Sequence, residues 1–166
     1  MMTTIFEPGP EFELAFICTL RFTRVQTIAD NAAGITRSAA YVDAGQFEGP
    51  LLRGRAVPAS GGDYATWRQD DTASLDARYM LEAEDGTLIY LQSRGFFWGR
   101  APDVMDRLRR FAFQNGPAVP VADYYFRTLT TFETPRGKHD WLARHVFVGL
   151  GERRADGNTI RYFKLD

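Results

Sequence analysis

The chain has 166 residues, a formal net charge of −1, 45% hydrophobic residues and 25% charged residues. This length and composition are typical of one soluble globular domain with a substantial core, so we expect a single domain over residues 1–166. The balanced charge argues against a protein that is drawn as a whole to nucleic acid or to an anionic membrane.

The cysteine content and the apolar runs indicate where the protein works. Cys18 is the only cysteine, so no intramolecular disulfide can form and no oxidising compartment is required. No apolar run approaches the roughly 20 residues of a membrane span, and residues 1–8 lack the basic and apolar regions of a secretory signal. We therefore expect a cytoplasmic protein without a membrane partner.

Strand signals dominate from the start of the chain. Residues 11–24 are rich in Phe, Ile, Leu and Thr, with apolar side chains at alternate positions. Residues 35–43 and 47–57 are the next predicted strands, and a turn-rich loop is expected over 58–74. Asp85-Gly86 between two alternating runs predicts a hairpin with a type I′ turn.

Later segments continue the pattern, with one interruption. Further strands are predicted over 124–134, 145–151 and 159–165. Apolar residues at helical spacing, with Pro102 at the start and Gly116 after the end, predict one short helix around 102–113. A short helical turn is also expected over Asp140–Arg144.

Many strands and one brief helix predict a mostly β fold, either a barrel or a sandwich. We favour a single antiparallel β-barrel, a closed sheet like that of lipocalins, because closure removes the exposed strand edges. The short helix would then plug or flank one mouth.

Two predicted strands each place a carboxylate and an arginine on one face. Asp76 and Arg78 share a face, as do Tyr125, Arg127 and Glu133 on a later strand. These faces either meet water, where an ion pair contributes roughly 0–1 kcal/mol, or line a polar barrel lumen. In a buried pair, removing Arg78 would cost about 3–5 kcal/mol. The lumenal interpretation predicts that both Asp76 and Arg78 point inward.

Other candidates lie in loops. Gly61-Gly62 precedes Asp63, and a tight turn that aims this carboxylate is a better interpretation than a phosphate cradle, which the carboxylate would repel. Trp67 and Trp141 either stack on a flat ligand or fill the core. His139 and His145 lie six residues apart, a spacing typical of neither a helical zinc pair nor a three-ligand site. We therefore expect no metal and, in the absence of a cofactor motif, no cofactor.

Five motifs in order resemble the bacterial domain-of-unknown-function 3237 family. They are Phe47-Glu48-Gly49-Pro50, Gly61-Gly62-Asp63, Leu75-Asp76-Ala77-Arg78-Tyr79, Tyr125-Phe126-Arg127-Thr128 with Phe132-Glu133-Thr134, and Trp141-Leu142 before Val148-Gly149. The resemblance covers residues 11–166 and implies an antiparallel barrel with recurring polar residues at Asp63, Asp76, Arg78, Arg127 and Glu133. The family pattern would have Tyr at His139 and Asn at Ala143.

We expect a protein that binds a small organic metabolite, either anionic or an aromatic carbonyl compound, in the barrel lumen. As a cofactor-independent isomerase, cyclase or hydratase, it would use Asp63 or Glu133 as general base. The predicted substrate-binding residues are Trp67, Asp76, Arg78, Tyr125, Arg127 and Trp141. Two alternatives stay open, namely a non-catalytic small-molecule carrier and a structural module that forms homo-oligomers.

Overall fold

A single antiparallel sheet closes on itself in the computed structural model, which describes residues 9–166. The strands are β1 (Phe12–Ile28), β2 (Thr36–Glu48), β3 (Gly54–Ala56), β4 (Gly62–Asp63), β5 (Thr66–Trp67), β6 (Ala73–Ala83), β7 (Leu88–Gly99), β8 (Tyr124–Glu133), β9 (Phe147–Arg154) and β10 (Gly157–Leu165). The helix α1 spans Val104–Phe113, and 3₁₀ helices span Val121–Asp123 and Asp140–Arg144. Residues 1–8, on which the expected lack of a secretory signal depends, lie outside the described residues.

Closure comes from β1, which pairs with β2 on one side and with β10 on the other. The short strands β3, β4 and β5 follow one another along β2 and pair with β6 on their other side. Counted as one interrupted strand, they complete an eight-stranded up-and-down barrel within the described residues. The predicted β-barrel with one α-helix is therefore confirmed.

Several predicted boundaries shift because neighbouring strands support longer or shorter pairing. β1 runs on to Ile28, and β2 extends without a break to Glu48. Of the strand predicted over 47–57, only Gly54–Ala56 pairs as a separate segment. The loop predicted over 58–74 contains β4 and β5. The predicted helix begins at Val104, two residues after Pro102.

The β6–β7 hairpin is confirmed, but its turn differs from the predicted type I′. The Gly86 N–H donates to the carbonyl oxygen of Ala83 at 2.8 Å, and Gly86 alone of the Asp85-Gly86 pair has a positive φ, of +83°. This is a type I turn followed by a left-handed glycine. Asp85 instead accepts a hydrogen bond from the Thr87 N–H at 3.1 Å.

One end of the barrel is filled by packed aromatic rings. The centroid of Phe132 lies 4.9 Å from that of Phe147 and 6.0 Å from that of Phe16, which in turn lies 5.1 Å from Phe47. All four rings are buried. Edge-on and tilted contacts of this kind add to the gain from burying apolar area. This packed end closes the barrel and leaves the opposite end open.

Candidate functional site

The open end of the barrel leads into a cavity of about 940 Å³. Its walls are mostly apolar and include Phe22, Leu75, Phe97 and Phe126 from four strands, with Met105 and Leu108 from α1. Small-molecule sites usually have such volumes and such walls, with a few polar groups that set the orientation of the ligand. The helix predicted at one mouth therefore forms part of the cavity wall.

Asp63 is the carboxylate that lines this cavity from a strand of the sheet, whereas Asp30, Asp71 and Asp156 line it from loops. The two residues of β4 are held between β2 and β6, where Asp63 pairs with Ala40 and Ala77. Only a glycine fits before it, because a Cβ at Gly62 would lie 2.3 Å from the carbonyl oxygen of Ala40. The sheet is interrupted directly after β4, and there Asp63 Oδ1 accepts a hydrogen bond from the Asp76 N–H at 3.1 Å.

Burial raises the pKa of Asp63 from 3.8 to about 6. The hydrogen bond from the Asp76 N–H and the positive charge of Arg153 oppose this rise, whereas the negative charge of Asp76 adds to it. A carboxyl group with a pKa this close to neutral can both accept and release a proton at physiological pH. Asp63 therefore has the titration behaviour of a general base or acid.

Arg153 is the arginine that lines the cavity from a strand, whereas Arg68 lines it from the loop after β5 and Arg109 from α1. The side-chain Nη1 of Arg153 donates to Asn158 Oδ1 at 2.7 Å, and its backbone N–H donates to the hydroxyl oxygen of Tyr124 at 2.9 Å. Burial lowers the pKa of this guanidinium, and the negative charge of Asp63 opposes the change, so Arg153 stays protonated. An arginine held in this way can bind a carboxylate or a developing oxyanion.

Trp67 lies at the rim, where α1 meets the loop after β5. Its Nε1 donates to Ser38 Oγ at 3.0 Å, and the guanidinium of Arg109 lies 5.6 Å from its ring centroid. Arg109 also pairs with Asp71 of the loop. These contacts hold the helix against the rim and keep the indole beside the cavity, as the ligand-stacking interpretation requires.

Two hydroxyl groups lie deeper in the barrel. Tyr79 and Tyr162 line a second cavity of about 20 Å³, which also contacts Asp63, Ser93 and Thr128. Below it the aromatic rings of the packed end begin. Along the barrel axis, the lumen thus passes from an open mouth through a narrow polar floor to a solid core.

The expectation that Asp76 and Arg78 point into the barrel is wrong. Their side chains are 31% and 44% exposed and pair on the outer face, with Arg78 Nε donating to Asp76 Oδ1 at 3.1 Å. Arg94 lies 3.5 Å from the same carboxylate. The alternate residues Leu75 and Ala77 face inward instead, because the lumen of this narrow barrel is filled by its apolar strand face.

The other predicted site residues also lie outside the cavity. Tyr125 stacks on Trp98 at 5.3 Å between centroids, and the guanidinium of Arg127 lies 5.5 Å from the Tyr125 ring. Glu133 is exposed at the end of β8. Trp141 packs on Phe147 at the closed end, 6.0 Å between centroids. Of the predicted site residues, the structure brings only Asp63 and Trp67 together.

Sequence analysis missed Arg153 and the two floor tyrosines. Arg153 with Arg154 has the pattern of a solvated basic pair, but only Arg154 is exposed in the structure. A signal was present in β9, where Phe147 and Arg153 share parity with two glycines. The glycines leave room for inward neighbours, since a Cβ at Gly149 would lie 2.2 Å from Thr128 Oγ1. Tyr79 shares parity with Leu75 in the same way.

The histidines have structural contacts. His139 is buried, and its Nε2 lies 2.8 Å from Asp85 Oδ2 in the β6–β7 turn, while His145 Nδ1 lies 2.7 Å from the carbonyl oxygen of Trp141. The hydrogen bonds that Asp85 accepts from Thr87, together with its contact to His139, hold the pKa of Asp85 well below its usual range. Within residues 9–166, no three His, Cys, Asp or Glu side chains group as metal ligands do. No helix of this part of the chain is long and apolar enough to cross a membrane.

Known proteins share this barrel over nearly the whole chain. A UPF0311 protein of Bradyrhizobium diazoefficiens is 30% identical over 153 residues, which are 92% of this chain and 95% of that protein. The crystal structure of a conserved protein of unknown function from Rhodopseudomonas palustris matches with a TM-score of 0.84 and 26% identity, covering 97% of this chain and 100% of that chain. A beta-barrel like protein from Acinetobacter baumannii matches with a TM-score of 0.81 and 28% identity, covering 98% and 100%.

The family assignment follows from the sequence itself. The model of the family described as "Protein of unknown function (DUF3237)" matches residues 10–165. The motifs around Asp63 and Tyr79, which suggested the resemblance, fall within that match. The chain belongs to the DUF3237 family.

Proposed function

We propose that this protein is a cofactor-independent enzyme that moves a proton on a small organic metabolite bound in the open cavity. The observation that carries the proposal is Asp63, a carboxyl group inside a mostly apolar cavity with a pKa raised to about 6. General bases in enzymes are tuned toward neutral pKa values in this way, by burial. The substrate class is a carbonyl compound or phenol with a largely apolar body.

In this proposal Asp63 transfers the proton and Arg153 binds the negative charge. Ionised Asp63 takes a proton from a C–H next to the carbonyl group. The electron pair of that C–H bond forms a C=C bond, and the π pair of the carbonyl group moves onto its oxygen. The protonated carboxyl group then returns the proton to another atom of the ligand, which isomerises it, or supports ring closure or addition of water. Arg153 holds a carboxylate or the negative oxygen, while Trp67 covers the flat face of the ligand.

Proton exchange in D₂O tests this proposal without knowledge of the natural substrate. Aromatic ketones such as 4-hydroxyacetophenone lose their α-proton NMR signal as deuterium enters. The wild-type protein is expected to accelerate this loss, and Asp63→Asn is expected to slow it by about 10²–10⁴-fold. The wild-type rate should rise as the pH increases through about 6, where Asp63 ionises.

Asp76→Asn is the matched control, because Asp76 touches Asp63 through its backbone but carries its carboxylate on the outer face. Its exchange rate is expected to stay within about twofold of the wild-type rate. Equal rates for the wild type and Asp63→Asn over a panel of ketones and phenols would contradict the enzyme proposal. Binding without exchange would favour the carrier instead.

The partner in this proposal is a small molecule. A cytoplasmic location, expected from the single cysteine, belongs to the same proposal.

A further inference from the structure

The polar floor beneath the large cavity is a second, smaller chamber whose two tyrosines have no role in the proposed proton transfer. It measures about 20 Å³, enough for about one water-sized group. Phe22, Leu75 and Asp63 line both this chamber and the large cavity. A ligand in the large cavity can therefore extend one small group into the chamber.

Two tyrosine hydroxyls meet this chamber without a partner. Tyr79 is 2% exposed and Tyr162 is 0% exposed. Neither hydroxyl makes a hydrogen bond of good geometry within residues 9–166, although the two phenols lie close to each other and Tyr162 lies close to Ser93. Nearby Ser93 is different, because its hydroxyl bonds to Thr130 Oγ1 at 2.7 Å. Buried polar groups are nearly always hydrogen-bonded, so a pair of unpaired phenols beside a cavity points to a ligand.

We propose that this chamber is a subsite for one oxygen atom of the ligand, a phenol hydroxyl or a carbonyl oxygen, which hydrogen-bonds to Tyr79 and Tyr162. The inference rests on the proposed function and deepens it, because it names the ligand group that reaches the bottom of the cavity. The chamber has room for one oxygen atom but not for a carboxylate or a phosphate. An acidic group of the ligand would instead meet Arg153 at the wall.

The chemistry of the two phenols fits an oxygen acceptor. Burial raises the pKa of both Tyr79 and Tyr162, so both hydroxyls are protonated at neutral pH and can donate. Two donors aimed at one oxygen stabilise the negative charge that forms there when a base removes a nearby proton. Asp63 borders the same chamber, so the base and the two tyrosines can contact one and the same ligand.

A pair of probes that differ in one oxygen tests the subsite. 4-Nitrophenol carries the hydroxyl, and 4-nitrotoluene has a methyl group in its place. Nitroaromatic compounds quench indole fluorescence at short range, and Trp67 borders the cavity, so quenching gives both dissociation constants. The measurements are made below the pKa of the probe's own hydroxyl, so that 4-nitrophenol is neutral.

The wild-type protein is expected to prefer 4-nitrophenol, and each of Tyr79→Phe and Tyr162→Phe to lose about tenfold of that preference. Affinity for 4-nitrotoluene should be unchanged. Neither variant should melt far below the wild type without ligand, because the lost hydroxyl makes no hydrogen bond of good geometry within the described residues. Tyr125→Phe, on the outer face, should match the wild type with both probes.

Four results would overturn the subsite. If both probes bind the wild type equally, or if the preference survives both substitutions, the floor does not select oxygen, although the proposed function stands on its Asp63 test. If Tyr79→Phe and Tyr162→Phe melt well below the wild type, the hydroxyls serve the fold. If neither probe binds at millimolar concentration, the cavity is no site for phenols, and the proposed substrate class fails together with the subsite.

Discussion

Asp63 and Asp76 lie on opposite sides of the same barrel wall and are joined by one hydrogen bond, from the Asp76 N–H to Asp63 Oδ1 at 3.1 Å. Their carboxyl groups titrate in opposite directions. Burial raises the pKa of Asp63 to about 6, whereas hydrogen bonds from Arg78 on the outer face lower the pKa of Asp76. Identical residues in direct contact thus have different chemistry, because one faces the lumen and the other faces water.

The contrast between Asp63 and Asp76 shows that the two faces of the barrel wall place charges in different surroundings. The outer face carries more charges, and they neutralise one another in pairs such as Asp76 with Arg78. The cavity has mostly apolar walls, and among the charged residues that line it only Asp63 and Arg153 lie on strands of the barrel. A charge that has lost its water can be shifted in pKa or can bind a ligand strongly, and a paired surface charge can do neither to the same extent.

The largest expected effect is on stability above neutral pH. A raised pKa means that the folded state holds its proton more tightly than the unfolded chain, so the stability that Asp63 contributes is present below about pH 4 and is lost as pH rises through about 6. Asp63→Asn removes that loss and should be more stable than the wild type at about pH 8, by up to about 3 kcal/mol. Urea unfolding at both pH values measures this, and equal stability at high pH would show that Asp63 is solvated.

A second prediction concerns the charge that opposes the pKa rise of Asp63. Arg153→Met removes this positive group, so the Asp63 pKa should move up further, and the affinity for an aromatic carboxylate such as benzoate should fall by about tenfold. Arg94→Met, on the outer face, should alter neither quantity. Carboxyl carbon NMR titration and calorimetry provide the two measurements. A benzoate affinity that survives Arg153→Met would place anion binding elsewhere.

A smaller effect is expected at the outer carboxylate. The lowered pKa of Asp76 means that its ionised form stabilises the fold above about pH 4, and that this contribution is lost as pH falls. Asp76→Asn should therefore cost about 1 kcal/mol near neutral pH and nothing at low pH, the reverse of the Asp63→Asn profile. Paired unfolding curves test the sign. If Asp76→Asn and Asp63→Asn changed the stability with the same dependence on pH, the two carboxyl groups would not differ as described.

The smallest effect is expected for Arg78→Ala. The lumenal interpretation predicted a cost of about 3–5 kcal/mol, but the guanidinium is 44% exposed and Arg94 stays beside Asp76. The loss of stability should be small, with a melting temperature close to that of the wild type, and it should shrink in high salt. Thermal melts at low and high ionic strength measure this difference. A large loss of stability in Arg78→Ala would show that Asp76 behaves as a buried ion.

Several features of this protein follow from local sequence alone. Alternating apolar residues along β1 and β6, the Asp85-Gly86 turn and the helical spacing after Pro102 each depend on neighbours within a few residues. They were enough to predict a mostly β chain, a hairpin at Asp85 and one short helix. Closure into a barrel follows from the need to pair every strand edge. Asp63 was a candidate from the sequence because Gly61 and Gly62, which directly precede it, indicate a tight turn.

Only the tertiary structure decided which face of each strand is the lumen. Period-two alternation separates Asp76 and Arg78 from Leu75 and Tyr79, but it is symmetrical and does not say which set meets water. Closure of the sheet brings Arg153 of β9 to the cavity with Asp63 of β4, and no spacing along the chain encodes that meeting. The volume inside eight strands admits apolar and small side chains with few charges. This limit on space and solvation places Arg78 and Arg94 on the outer face and Tyr79 and Tyr162 within the barrel.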